Sequence, residues 1–283
     1  MEIKSLENTS VQEIVSTLNL AFSDYFVPIN FTEEYVNQRW TASGVDYSLS
    51  FGAFDQNKLV GFIIHAINFY GETKVAYNAS TGVIPLYRRK GLLKQLYAKA
   101  ISTLQENGIQ KSTLECITKN KRAIAAYQKV GFKIDRHYHL YKFDWRGVDV
   151  ETEFEVELET DFSFDDFKQL QNYNPSIENQ DHFLETYKNN LQAISVFDEK
   201  ERFAFLIVHK TSKRIHRLGV KENKWNIFGE ILFSGLPKGN YNIINIDTEN
   251  KNMHAFFKKM QFENYIDQFD MSFDFGFAQP KFL

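Results

Sequence analysis

At 283 residues the chain has room for roughly two domains of ordinary size. Its 43% apolar and 24% charged content is ordinary globular composition, which excludes a mainly disordered chain, a collagen and a coiled coil. The net charge of −3 is uneven: up to Gly147 there are 18 Lys and Arg against 13 Asp and Glu, and beyond it 15 against 23. A mildly basic first half suits an anionic ligand but is too weakly charged to argue for nucleic acid. The single cysteine, Cys116, excludes an intrachain disulfide and a zinc site built on several cysteines. The longest apolar run, Leu59–Ile64 extended through Ile67, falls well short of the ~20 residues of a membrane helix. Met1–Ser5 lacks a basic region followed by an apolar stretch, so no signal peptide is expected and the expected compartment is the cytoplasm.

In chain order, Val11–Phe22 carries apolar residues at 11, 14, 15, 18 and 22, a helical stripe. Tyr47–Phe54 and Leu59–Ile67 read as strands of a hairpin turned by Asp55–Lys58. Lys74–Ile84 is a further strand ended by Pro85, and Gly91–Leu104 follows with helical spacing. Lys111–Thr118 is a strand. Asn120 stands where a helix N-cap belongs ahead of Ala123–Val130, and Gly131 fits its C-terminus. Phe132–Trp145 reads as one or two closing strands.

The second half repeats this order. Phe154–Leu158 is a strand, Phe164–Leu170 begins a helix, and Asp181–Leu191 is another. Ile194–Phe197 and Phe203–His209 form a hairpin, and Tyr241–Ile246 and Met253–Met260 are a strand and a helix. Leu59–His65 aligns with Phe203–His209, Asn120–Phe132 with Asn250–Phe262, and Glu2-Ile3 with Glu155-Val156. The pattern is that of a duplicated α/β domain, with expected domains 1–147 and 148–283. Between the halves, Glu151, Glu153, Glu155, Glu157 and Glu159 share one face of a strand, read as a solvated face or edge.

Chemistry concentrates in 81–94. A strand ends at Pro85, a short loop carries Arg88, Arg89 and Lys90, and a helix starts at Gly91. Four of the seven residues from 88 to 94 are Arg or Lys. The N–H groups of a helix start and its dipole favour an anion, so this stretch predicts a phosphate or pyrophosphate site. It is neither a Walker loop nor a GxGxxG turn.

Val83, Pro85, Arg88 and Gly91 followed by an amphipathic helix resemble the acyl-CoA pyrophosphate loop of the GNAT (GCN5-related N-acetyltransferase) superfamily, whose pattern is Gln/Arg-x-x-Gly-x-Gly/Ala. Leu93 departs from the last position. Asn120, Ala123, Tyr127, Gly131 and Phe132 resemble the family's N-x-x-A-x-x-x-Y-x-x-x-G-F segment. The resemblance covers the first half well and the second as a worn copy. It implies two α/β (α+β) domains, each a mixed, mostly antiparallel sheet flanked by helices, in tandem with a degenerate second copy. It implies an N-acyltransferase using acetyl-CoA as co-substrate, with no metal. The acceptor would be a small-molecule or peptide amine, with no nucleic-acid or membrane partner. Val83, Ile84, Arg88, Arg89, Lys90, Gly91, Leu92, Leu93 and Asn120 would bind the cofactor. A backbone N–H near Val83 or Ile84 would polarise the thioester carbonyl, and Tyr127 would protonate the departing thiolate.

Other readings stand beside these. Tyr127 also fits a core aromatic, and Asn120 a plain helix cap. Glu115 is the base candidate, catalytic together with Tyr127, and Asp24 and Glu33 are two further candidates. His65 reads as a satisfied core or sheet residue and Cys116 as a buried strand thiol. His137 and His139 share one strand face but lack a third ligand by spacing, so no metal is expected. The aromatic stretch 22–31 suggests a partly apolar acceptor pocket and equally fits core packing. In the second half Val220–Gly229 lacks the loop's Pro and Arg, Phe257 stands at the tyrosine position, Gln261 replaces the glycine, and Gly235–Gly239 reads as a turn. That copy reads as catalytically silent. The alternative function is a non-catalytic acyl-CoA-binding or regulatory module, against which Tyr127 argues.

Overall fold

A computed structural model describes residues 1–26, 30–70 and 73–275. The chain forms two compact units, 1–135 with 270–283 and 136–269. No helix among the described residues is long and apolar enough to cross a membrane.

In the first unit the order is β1 (Glu2–Ser5), α1 (Val11–Ala21), α2 (Glu33–Ala42), β2 (Phe51–Asp55), β3 (Lys58–Tyr70), β4 (Thr73–Val83), α3 (Leu92–Glu106), β5 (Lys111–Ile117) and α4 (Lys121–Val130). The α1 helix starts because Ser10 accepts a hydrogen bond from the Glu13 N–H at 3.2 Å, a cap worth ~1 kcal/mol. Its stripe of Ile14, Val15, Leu18 and Ala21 packs with Phe62 and Ile64 of β3 into one core. Glu13 Oε1 accepts from the Leu59 N–H at 3.0 Å, tying helix to strand. Residues 59–66 of β3 are buried on both faces, the pattern of a central strand covered on both sides. Strands β1 to β4 run antiparallel in sequence order, and β5 lies parallel to β4.

The first half continues into β6 (Lys133–Trp145). In the second unit follow β7 (Glu155–Glu159), α5 (Asp181–Glu185), β8 (Leu191–Asp198), β9 (Glu201–His209), β10 (Arg214–Val220), α6 (Trp225–Ser234), β11 (Gly239–Asp247), α7 (Lys251–Lys259) and β12 (Glu263–Asp274). This is again a mostly antiparallel sheet with helices, and its core gathers Leu206, Leu218, Trp225, Phe233, Ile243 and Phe257. The expected helix over 164–170 is a 3-10 helix, and 181–191 divides into the short α5 and a 3-10 turn, Lys188–Asn190, before β8 begins at Leu191. Among the described residues the charged strand β7 pairs with β8 alone, as an edge should.

The closing strands differ from the expectation. The neighbour of β5 is β12, whereas β6 lies between β12 and β11. Residues 136–145 therefore belong to the second unit, and the end of β12 belongs to the first. The compact units and the sequence halves 1–147 and 148–283 thus do not coincide. Two strands of equivalent position in a repeat have exchanged places, which leaves the local pattern of each unaltered.

Candidate active site

The site grows from the way β4 and β5 part. Their parallel register is Val75 to Tyr77 against Lys111 to Thr113, and the two strands do not pair beyond it among the described residues. From Asn78 onward β4 keeps β3 on one side and leaves its β5 side open. A β-bulge falls here: Ile64 faces Ser80 and His65 faces Asn78, so Ala79 is the extra residue. A bulge shifts which backbone groups point to which edge. The Ile84 N–H donates to Val60 O at 3.0 Å, on the β3 side. Alternation along a strand then aims the N–H groups of Thr81 and Val83 at the open edge. Of the two N–H groups expected to polarise a carbonyl, Ile84's is engaged and Val83's faces the gap.

Polar groups line the floor of the gap. Asn78 Nδ2 donates to Thr81 Oγ1 and to the Tyr97 hydroxyl, both at 2.6 Å, and Asn78 is 6% exposed. Tyr127, on α4, hydrogen-bonds the Thr81 side chain. Its ring sits edge-on to Tyr97 and Phe132, at 6.2 and 5.7 Å. Burial pushes its hydroxyl well above the ordinary tyrosine range, and neighbouring Cys116 adds to this. Tyr127 is therefore both a core aromatic and a protonated hydroxyl between the diverging strands. Cys116 is buried, and burial pushes its thiol up to about 11, so it is no nucleophile at neutral pH.

Asn120 caps α4, accepting from the Ala123 N–H at 3.2 Å, and also hydrogen-bonds the Tyr25 hydroxyl. Glu115 lies half-buried on β5, on the opposite face of the strand from Cys116. Glu33 is exposed in the first turn of α2. Asp24 is tied to Arg88, whose guanidinium holds its carboxyl below the usual range, which weakens it as a base. The side chains of Thr81 and Asn78 were missed in the sequence, whereas Tyr25 falls in the aromatic stretch 22–31. The only signal for the missed pair was the polar run Asn78, Ser80, Thr81 inside an apolar strand. Of the aromatic stretch 22–31, Phe22 stacks edge-on with Tyr25 at 5.0 Å, and positions 27–29 lie outside the described residues.

The basic loop has the backbone of an anion cradle. Pro85–Tyr87 form one 3-10 turn, Arg89 has φ +63°, and Gly91 has φ +75° at the start of α3. That φ calls for glycine, and a Cβ there would meet nothing within 4 Å, so the position opens outward. The first turn of α3 has neither a side-chain cap nor an acidic residue, so its N–H groups present partial positive charge. Arg88 is used differently from the expectation. Its guanidinium grips Asp24 at 2.6 and 2.7 Å, Ala21 O at 2.9 Å and Val83 O at 3.0 Å. It clamps the loop to the end of α1, and most of its charge is balanced by Asp24. Arg89, Lys90 and Lys94 are exposed and carry the net positive charge. Leu92 is buried in the core and Leu93 half-buried, so both offer backbone only.

A sequence profile of the "Acetyltransferase (GNAT) family" matches residues 14–132, which hold all of these elements. Residues 14–132 are therefore similar to the GNAT acetyltransferase family. It is 35% identical over 112 residues to "N-alpha-acetyltransferase MAK3" of Arabidopsis thaliana, covering 39% of this chain and 56% of that protein. It is 28% identical over 101 residues to "N-alpha-acetyltransferase 30" of Schizosaccharomyces pombe, covering 35% and 66%. The chain thus spans between about half and two thirds of the curated relatives it matches. Among solved structures, a "Tandem GNAT protein from the clavulanic acid biosynthesis pathway" superposes with a TM-score of 0.72 at 11% identity, over 98% of this chain and 99% of that one. The tandem GNAT fold therefore extends over both units.

The second unit has the same parting of parallel strands, with its gap filled. The register between β10 and β11 covers only Arg214 and Ile215 against Asn242 and Ile243. Segment 170–179 of the same unit lies in the opening beyond. Asn172 Nδ2 donates to Val220 O at 2.7 Å, and Asn245 Nδ2 donates to Ser176 Oγ at 3.1 Å. Asn179 bonds His216 Nδ1 at 3.0 Å and is fully buried. A Cβ on Gly219 would sit 2.2 Å from Leu170 O, so glycine is required for this close approach. Phe257 is fully buried and carries no hydroxyl.

Proposed function

We propose that the protein is an acetyl-CoA-dependent N-acetyltransferase with one active site, in the first unit. The observation that carries this is the parting of β4 from β5 with the Tyr127 hydroxyl on Thr81 at its floor and the uncapped, basic start of α3 beyond Pro85. The pantetheine arm adds to the open edge of β4 as a strand would. The pyrophosphate meets the N–H groups of Gly91, Leu92 and Leu93, with Arg89, Lys90 and Lys94 supplying charge. Asn120 holds the start of α4 beside the gap. The Val83 N–H polarises the thioester carbonyl, an amine attacks it, and Tyr127 protonates the leaving thiolate. Glu115, on the other face of β5, takes the amine proton directly or through water. The names of the relatives support the α-amine of a polypeptide as acceptor, ahead of a small-molecule amine. The filled gap and Phe257 support a silent second unit. A purely acyl-CoA-binding role gives no account of a buried tyrosine hydroxyl at this position.

Steady-state kinetics with acetyl-CoA and a panel of short peptides with free N-termini test the reading. Tyr127→Phe keeps the ring and removes the proton. It should lower kcat on the order of 10²-fold or more, with acetyl-CoA affinity and Tm nearly unchanged. Full kcat in that variant would remove Tyr127 from the mechanism. Wild-type protein that binds acetyl-CoA yet acetylates no amine would favour the binding module.

A further inference from the structure

Strand geometry brings three side chains of the second unit to one point. His137 and His139 are two apart on β6, so they share a face, and β12 alongside presents Asp267 on that face. One ligand-type atom from each lies within 4.8 Å of the others. Sequence spacing could not supply Asp267, which is 128 positions beyond His139 and adjacent only because β6 and β12 are neighbours.

The hydrogen bonds beside the trio fix where the proton of His139 is. His254 Nε2 lies 2.9 Å from the carbonyl of Asp247, which can only accept, so Nε2 carries the proton. His254 Nδ1 then accepts from the Tyr141 hydroxyl at 2.7 Å. The Tyr141 oxygen is left to accept from His139 Nδ1 at 3.3 Å. A neutral His139 with its proton on Nδ1 turns the lone pair of Nε2 toward Asp267 Oδ1, 3.6 Å away. Two acceptors then face each other. His137 Nε2 is buried and has no hydrogen-bond partner. Asp267 Oδ1 also accepts from Asn264 Nδ2 at 2.8 Å, so His139 Nε2 and Asp267 Oδ1 face each other as electron-pair donors beside the unpartnered His137 nitrogen.

We infer that His137, His139 and Asp267 bind a divalent transition-metal ion of the zinc class. Two imidazoles and a carboxylate are a ligand set that zinc accepts, with water completing the coordination. Zinc–ligand bonds of ~2.0–2.2 Å put tetrahedral ligand atoms ~3.4 Å apart, so small side-chain rotations close the site. His139 and Asp267 are 28% and 38% exposed, which gives an ion and its water access. The hydrogen bond from His139 Nδ1 to Tyr141 orients the ring, the usual part of an outer-shell partner. His254 has both ring nitrogens engaged and is not a ligand. The ion would pin β6, from the first half of the sequence, to β12, the last strand. It is a structural clasp and takes no part in acetyl transfer.

The test uses tag-free, chelator-treated full-length protein titrated with Co(II), a spectroscopic stand-in for zinc. One equivalent should produce visible d–d bands that Zn(II) bleaches. His137→Ala and Asp267→Asn should each weaken binding at least tenfold, while His254→Gln keeps the site. Wild-type Tm should rise saturably with Zn(II), a readout that needs no variant to fold. Absence of saturable Co(II) binding and of a Zn(II)-dependent Tm rise in the wild type would overturn the inference, leaving a proton between His139 and Asp267. Binding unchanged in folded His137→Ala and Asp267→Asn would also overturn it.

Discussion

Burial sets the protonation of Tyr127, Cys116 and His65 by one rule: a low-dielectric site disfavours the charged form. Tyr127 and Cys116 stay protonated, and His65 stays neutral. His65 has no exposed surface and its Nδ1 bonds Leu49 O at 2.8 Å, but its buried Nε2 has no hydrogen-bond partner, so it is a sheet residue satisfied at one ring nitrogen rather than both. Its pKa is lowered to about 4 from 6.5 by burial. In the unfolded chain it binds a proton near pH 6.5, and in the folded chain only near pH 4. Its contribution is therefore fully present above pH 6.5 and is lost as pH falls toward 4. The shift corresponds to a loss on the order of 3 kcal/mol across that window. Urea unfolding from pH 7.5 to 4.5 should show it. His65→Asn, which keeps a donor toward Leu49 O, should be less stable at pH 7.5 yet show a flatter pH dependence. An equal slope in both proteins would assign the acid sensitivity to other groups.

At the scale of elements, the exchanged strands make each unit depend on the far end of the chain. The Phe273 ring packs on Phe132 at 5.8 Å and within 3 Å of where a Gly131 Cβ would stand, and the Phe275 N–H donates to Gln110 O at 2.8 Å. A chain ending at residue 269 loses the end of β12, the part that belongs to the first unit, and with it these contacts to Phe132 and Gln110. It should show a lower Tm for the first unit and no measurable acetyl-CoA binding, and residues 1–147 alone should be weakly folded for the same reason. A soluble 1–269 chain with wild-type affinity would show that this end of the strand is dispensable. Much of this level was legible. The stripe of α1, the hairpin of β2 and β3, the Asn120 cap and the Gly91 helix start each have a local signature, and each stands where expected. The strand exchange has none, because pairing partners are a long-range property. Likewise Arg88 read as an anion contact because its clamp on Asp24 joins residues 64 positions apart. The α2 helix, with its weak apolar stripe of Val36 and Trp40, gave little signal.

Across the whole molecule the two halves have kept the same framework and diverged in what fills it. The first unit opens between β4 and β5 and has positive charge at the mouth in Arg89, Lys90 and Lys94. The second closes the equivalent gap with its own segment 170–179 and pairs the Glu222 carboxylate with Lys224 where the loop would be. Calorimetric titration of the intact protein with acetyl-CoA tests this most directly, alongside the double variant Arg89→Glu/Lys90→Glu. Charge reversal at the loop should weaken binding at least tenfold with little change in Tm, because both side chains are exposed. The account predicts one site per chain, weakened in that variant. Two sites per chain, or a single site whose affinity ignores the loop charges, would contradict it.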